Sequence, residues 1–292
     1  MTTKMSNEQY HSMTEIVGTS TLKVFLDDPK LYYHYFISGN ASPPYIGDKP
    51  GVLIGELIHE LILERRNIAD FLVTYPSECY KKNGTLNPKP AAEFREQMQA
   101  EGKTVMKESD MMQVESIYLS ASHSGLCEFL NNENTVCEEP IFWQDALSGL
   151  QCKAKPDALL VTPEHVACYD LKVSGSVRPD EWSRVASRLR YWLQACHYTS
   201  GLMHLYPNHK VSFTFYVVEN KFPYRVTSYR YDEDSFNRAW DVYASTLKDL
   251  STRVATNNWS ADWEGRLNEI SIKPWELGEV EEAELEGFKD DE

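Results

Sequence analysis

The sequence predicts an α/β fold, a central mixed β-sheet flanked by helices, on three observations. Helix-forming segments dominate up to about residue 129. Short strands bounded by turns begin at Thr135, and a long helix over 182–206 separates them from two further strands and a last helix over 235–254. With 42% apolar and 12% aromatic residues in 292, the chain can bury a full core. We expect one domain over 1–275, carrying an N-terminal helical elaboration, and an acidic tail over 276–292.

In chain order, the opening stretch to Tyr10 reads as loose, and Ser20 or Thr21 then caps a short helix closed by Pro29. The aromatics Tyr32, Tyr33, Tyr35 and Phe36 suit either a helical core or the wall of a nucleic-acid groove. A turn-rich stretch with Pro43, Pro44 and Pro50 leads to a helix over 52–65 that carries His59, with Gly55 one turn before it. On its residues alone, that histidine reads as a packed side chain or as a ligand. Helices are expected over 91–99, ended by Gly102, and over 108–129, broken near Gly125. Strands follow over 136–143, 150–161 and 166–173, then 211–219 and 224–230.

The formal charge is −15, from 29 basic and 44 acidic residues, which is unusual beside a polyanion. Residues 276–292 hold nine carboxylates and one lysine, so over half of the imbalance is terminal. A local basic groove or a bound divalent metal is then enough to receive phosphate. The six cysteines form no CxxC pair and read as reduced thiols of a cytoplasmic protein; a zinc ribbon has no support. Apolar runs fall short of the ~20 residues that span a membrane.

Strand periodicity places Lys153, Lys155 and Asp157 on one side of a strand and Asp170 with Lys172 on one side of the next. If the two strands pair around the turn at 163–165, both carboxylates point to one edge of the sheet, where a hard divalent cation finds oxygen ligands. Beside a phosphate, Lys172 offsets developing negative charge and orients the attacking water. Asp-x-Lys is also a common string on solvated strand faces, so the residues alone leave both readings open.

The runs Glu138-Glu139-Pro140-Ile141-Phe142-Trp143, Gly149-Leu150-Gln151-Cys152-Lys153-Ala154-Lys155-Pro156-Asp157 and Tyr169-Asp170-Leu171-Lys172 resemble the restriction-endonuclease-like core of the PD-(D/E)XK nuclease superfamily. Within its RecB-like group they are most like phage and prophage exonucleases of the RecE type. The resemblance implies that Asp157 and Asp170 bind metal, that Lys172 is catalytic, and that His59 on its helix helps to hold the metal. It places the upstream acidic residue on Glu138, with Glu139 and Glu115 as alternatives, and adds the Leu171 carbonyl as a ligand. Gln194-x-x-x-Tyr198 resembles the group's next helical motif, its two side chains one turn apart and facing the site.

The activity so implied is Mg²⁺-dependent hydrolysis, with Mn²⁺ as a substitute, from double-stranded DNA ends in the 5′-to-3′ direction during phage-type recombination. The implied partners are a single-strand-annealing protein and further copies of the chain, a closed ring being one form; no membrane is involved. A structure-selective endonuclease and a catalytically silent DNA-binding module are the alternatives.

Overall fold

The structure, a computed structural model, describes residues 5–43, 50–261 and 263–272, with backbone alone for 50–53 and 126–127. The expected acidic tail lies outside the described residues. Helices α1 (Asn7–Ser12), α2 (Thr19–Asp27) and α3 (Pro29–Tyr32) run into a π-type turn, Tyr33–Ile37. Next come α4 (Pro50–Leu63), α5 (Ile68–Phe71), β1 (Leu72–Thr74), α6 (Pro88–Ala100), β2 (Thr104–Met106), α7 (Glu108–Ser122) and α8 (Gly125–Leu130). Five strands follow: β3 (Thr135–Cys137), β4 (Ile141–Gln144), β5 (Gln151–Ala154), β6 (Ala158–Val161) and β7 (His165–Ser174). The last elements are α9 (Pro179–Arg188), α10 (Tyr191–Leu205), β8 (Lys210–Glu219), β9 (Val226–Tyr229) and α11 (Glu233–Thr256).

The main sheet has the order β3-β6-β7-β8-β9. Only β7 and β8 run parallel, paired from His165 opposite Lys210 to Ser174 opposite Glu219, so the sheet is mixed as expected. The first half of central β7 is apolar on both faces, which suits a strand covered from two sides. On one face Leu171 packs with Leu57, Ile58 and Leu61 of α4 and Val114 and Ile117 of α7. On the other, Val166 and Cys168 pack with Trp182 of α9 and with Ala195 and Leu202 of α10. Outside α10, Leu22, Phe25 and Tyr32 join Tyr243, Leu247 and Leu250 of α11. Tyr32 also stacks on Trp259 at 5.9 Å, and Tyr33 and Phe36 pack against this core cluster.

Four local expectations change. The helix expected to begin at Ser20 or Thr21 is α2, which is capped at Gly18, with the Thr21 hydroxyl accepting from the Gly18 N–H. The opening stretch contains α1, fixed by reciprocal Ser6 and Gln9 bonds. The helix over 182–206 is two helices, divided where Arg190 takes a left-handed conformation (φ 51°, ψ 47°). Each of the first two strands is also interrupted. Cys137 stands opposite Ala158 and Ile141 opposite Ala154, so one hairpin register continues while 138–140 and 155–157 leave the ladder.

Gly201 shows how tightly α10 closes on the hairpin. A Cβ there would sit 2.7 Å from the ring of buried Trp143 on β4. Alanine normally favours a helix interior by about 1 kcal/mol over glycine, but here overpacking reverses the sign. Gly201→Ala is expected to destabilise the fold by about 1–3 kcal/mol, read as a lowered midpoint in urea unfolding.

Candidate metal centre

The interruption of the hairpin builds the site. Pro140 and Pro156 have no N–H to leave unpaired, so the ladder opens there without orphaning a donor. Glu138 takes a left-handed conformation (φ 57°), and its N–H donates to the Asp157 carbonyl at 3.2 Å. The β6–β7 register, with Ala158 opposite Tyr169, sets Asp157 across from Asp170 one step beyond the last pair. Asp157 Oδ2 there accepts the Leu171 N–H at 2.6 Å.

His59 arrives from α4. Its Nε2 lies 2.8 Å from the Leu171 carbonyl, which only accepts, so Nε2 carries the proton. In the neutral ring Nδ1 then offers its lone pair, and it faces Asp157 Oδ2 at 3.7 Å. His59, Glu138 and Asp157 present ligand atoms all within 4.8 Å of one another. Burial pushes the Asp157 carboxyl up to about 6; His59 and Lys172 oppose the rise, and Asp170 and Glu138 add to it. Two carboxylate oxygens and an imidazole nitrogen in a half-buried cluster fit a divalent cation, which would relieve this crowding of like charge.

Asp170 and Lys172 project to the α10 side of β7. Asp170 is 1% exposed; its Oδ1 accepts from Gln194 Nε2 at 2.5 Å, and its Oδ2 forms an ion pair with Lys172 that lacks hydrogen-bond alignment. Burial lowers the affinity of Lys172 for its proton, but Asp170 and Asp157 outweigh it and hold the ammonium above the usual lysine range. Tyr198, one turn beyond Gln194, donates to the Lys155 carbonyl at 3.2 Å and so braces the break before Asp157. The structure thus brings together His59, Glu138 and Asp157, with Asp170, Lys172 and Gln194 beside them and Tyr198 behind. Of the three upstream acids, Glu138 is the one in the cluster; Glu139 is exposed, and Glu115 lines a separate pocket on α7.

A cleft of about 710 Å³ opens over the centre, lined by His59, Glu138, Lys155, Lys172 and Tyr198. Its rim holds residues that the sequence did not single out. Asn7, Tyr10 and His11 of α1 line it, brought there by a bridge of Val17 to Cys152 beside β5. Buried Lys153 fastens this segment by donating to the Tyr10 and Met13 carbonyls at 2.6 Å each. Because the strand ends at Ala154, Lys153 serves that contact, whereas Lys155 pairs with Glu138 and Asn7. The Ser6-x-x-Gln9 capping pair was the one local sign of α1.

The family described as a PDDEXK-like domain of unknown function (DUF3799) matches residues 18–265. No curated protein matches the chain in sequence. The crystal structure of a "putative exonuclease" from Eubacterium rectale is similar over 94% of this chain and 98% of that one, at 15% identity and a TM-score of 0.56, a likeness of fold alone. The structure of SSO0001, 14% identical over 72% of this chain and 90% of its own, has a TM-score of 0.27 and carries no argument. No helix among the described residues is long and apolar enough to cross a membrane. The protein therefore has a PD-(D/E)XK-like nuclease fold with a candidate metal-binding triad, and the chain belongs to the PDDEXK-like family DUF3799.

Proposed function

We propose that residues 1–275 act as one Mg²⁺-dependent DNA exonuclease of the RecE type, with Mn²⁺ as a substitute, degrading double-stranded ends in the 5′-to-3′ direction. The observation that carries this reading is the convergence of His59, Glu138 and Asp157 beside the buried Asp170–Lys172 pair. Asp170, through its imperfectly satisfied Oδ2, and the Leu171 carbonyl, through its second lone pair, extend the proposed ligand set. A bound divalent cation supplies Lewis acidity that activates water and polarises a phosphoryl oxygen. Lys172, held protonated, faces the charge that develops on phosphorus-bound oxygens. Gln194 keeps Asp170 oriented, and Tyr198 keeps Asp157 at the end of its strand.

A ring-forming homo-oligomer and a single-strand-annealing recombination protein are the proposed partners. The deciding experiment incubates the protein with end-labelled linear and covalently closed circular duplexes in Mg²⁺ or Mn²⁺. Nucleotide release from linear DNA alone supports the exonuclease, nicking of circles would favour the endonuclease, and no cleavage of either would leave a silent module.

Asp157→Asn and Asp170→Asn are expected to fold and to lose cleavage, whereas Lys172→Ala should slow the single-turnover step roughly 10²–10³-fold while metal binding persists. Normal turnover in any of the three would remove that residue from the mechanism. Gln194→Ala strands a buried carboxylate oxygen, at a cost of about 1–3 kcal/mol. It should slow cleavage in single-turnover assays more than Ala195→Ser does.

Metal affinity should also depend on pH through Asp157. Its raised carboxyl is protonated below about 6 in the metal-free chain, so a cation must displace that proton. The same shift makes ionisation unfavourable to folding: metal-free stability is fully present below the ordinary carboxyl value and declines as pH rises through the raised one. Calorimetric Mn²⁺ titrations at pH values spanning that one should show affinity falling as pH drops through it, by at least several-fold per unit. An affinity that does not change with pH would contradict the assignment.

A further inference from the structure

Lys23 lies on α2, about 150 residues before Lys172 in sequence, yet both lysines approach one ring. The half-buried Lys23 ammonium stands 5.5 Å from the Tyr191 ring centroid, and Lys172 Nζ stands 5.3 Å from it. Arg190 closes the group, its guanidinium donating to the Lys23 carbonyl at 3.2 Å. The neighbouring carboxylates are engaged: Asp170 with Lys172 and Gln194, and Asp27 with Arg190 at 2.6 Å. Among the described residues no carboxylate forms an ion pair with Lys23. A partly dehydrated ammonium beside two like charges is unfavourable until an anion joins it. Burial first, then Lys172, lowers Lys23 to about 8, in keeping with that geometry.

The other wall of the cleft has the opposite sign. Glu56 and Glu60 of α4, and Glu64 just past its end, line it, with Glu60 paired to Arg66. A phosphodiester backbone at the metal centre is therefore repelled on the α4 side and attracted on the side of α2 and the start of α10.

We propose that Lys23 is a phosphate-binding residue, which together with Arg190 receives a DNA phosphate next to the one that Lys172 faces. Lysine suits this as a compact cation that needs no fixed approach angle. The inference rests on the nuclease reading and adds the path of the substrate strand to it. If Lys23 served only to pack its stem on Tyr191, its charge would be dispensable.

The test uses the full-length protein, with Ca²⁺ in place of Mg²⁺, and measures the affinity of a short blunt duplex across a salt series. Lys23→Gln and Lys23→Met remove the charge, and Met keeps an apolar stem over Tyr191 should Gln disturb folding. Both are expected to make the slope of log affinity against log salt shallower by about 0.9, the loss of one phosphate contact. Lys23→Arg should restore the wild-type slope. With Mg²⁺, the neutral variants should raise KM more than they lower kcat. Equal losses on 5′-phosphorylated and 5′-hydroxyl ends assign an internal phosphate; a loss confined to phosphorylated ends assigns the terminal one. A wild-type slope in both neutral variants overturns the inference, even where wild-type protein cleaves DNA and Asp170→Asn does not, which would leave the nuclease reading standing. Wild-type protein that neither binds nor cleaves DNA removes both together.

Discussion

The site depends on a hairpin that stays in register while it stops pairing. At 138–140 and 155–157 the two strands part, yet two backbone groups at the break keep a partner or find one. The Glu138 N–H finds the Asp157 carbonyl, and the Lys155 carbonyl finds the Tyr198 hydroxyl. In the shared register Glu138 stands opposite Asp157, and the two side chains converge with His59 where the regular ladder stops.

Asp170 and Lys172 show the opposite strategy. They remain inside a regular strand, paired there on its β8 side, so their position is set by the parallel β7–β8 ladder. Burying an ion pair is costly, and an apolar pair of the same shape would often stabilise a fold as well or better. Gln194 from α10 limits the cost by completing one oxygen of Asp170. The result is a charge held in place before any substrate arrives, the condition under which a fixed cation best serves a reaction that develops negative charge.

The N-terminal segment connects these two parts to the surface. Val17 pairs beside β5, Lys153 reaches into the segment, and Asn7 meets Lys155. One cleft rim is thereby built from residues nearly 150 positions away from the strands they contact. The same packing of α2 on α10 brings Lys23 to Tyr191. A chain of strongly negative total charge in this way gathers Lys23, Arg190 and Lys172 around Tyr191, because placement, not net charge, sets the local field.

What the sequence determined by itself is the local chemistry: the alternation that puts Asp170 and Lys172 on one side of a strand, the one-turn spacing of Gln194 and Tyr198, the helix bearing His59, and the order of helices and strands. These follow from periods of two and 3.6 residues, which neighbouring residues alone specify. The likeness of three short runs to a nuclease core added Glu138 and the metal-binding role of Asp157. Where the strands part and where the long helix divides at Arg190 was not legible, since neither Glu138 nor Arg190 is a residue that local preference places in a left-handed conformation. Those angles are held by tertiary contacts, the Arg190 guanidinium to Lys23 and Asp27 and the Glu138 carboxylate to Lys155. Only the folded chain decided which oxygens face a cation, which one Gln194 already takes, and which distant lysine approaches Tyr191, because each depends on a contact between segments that local sequence does not couple.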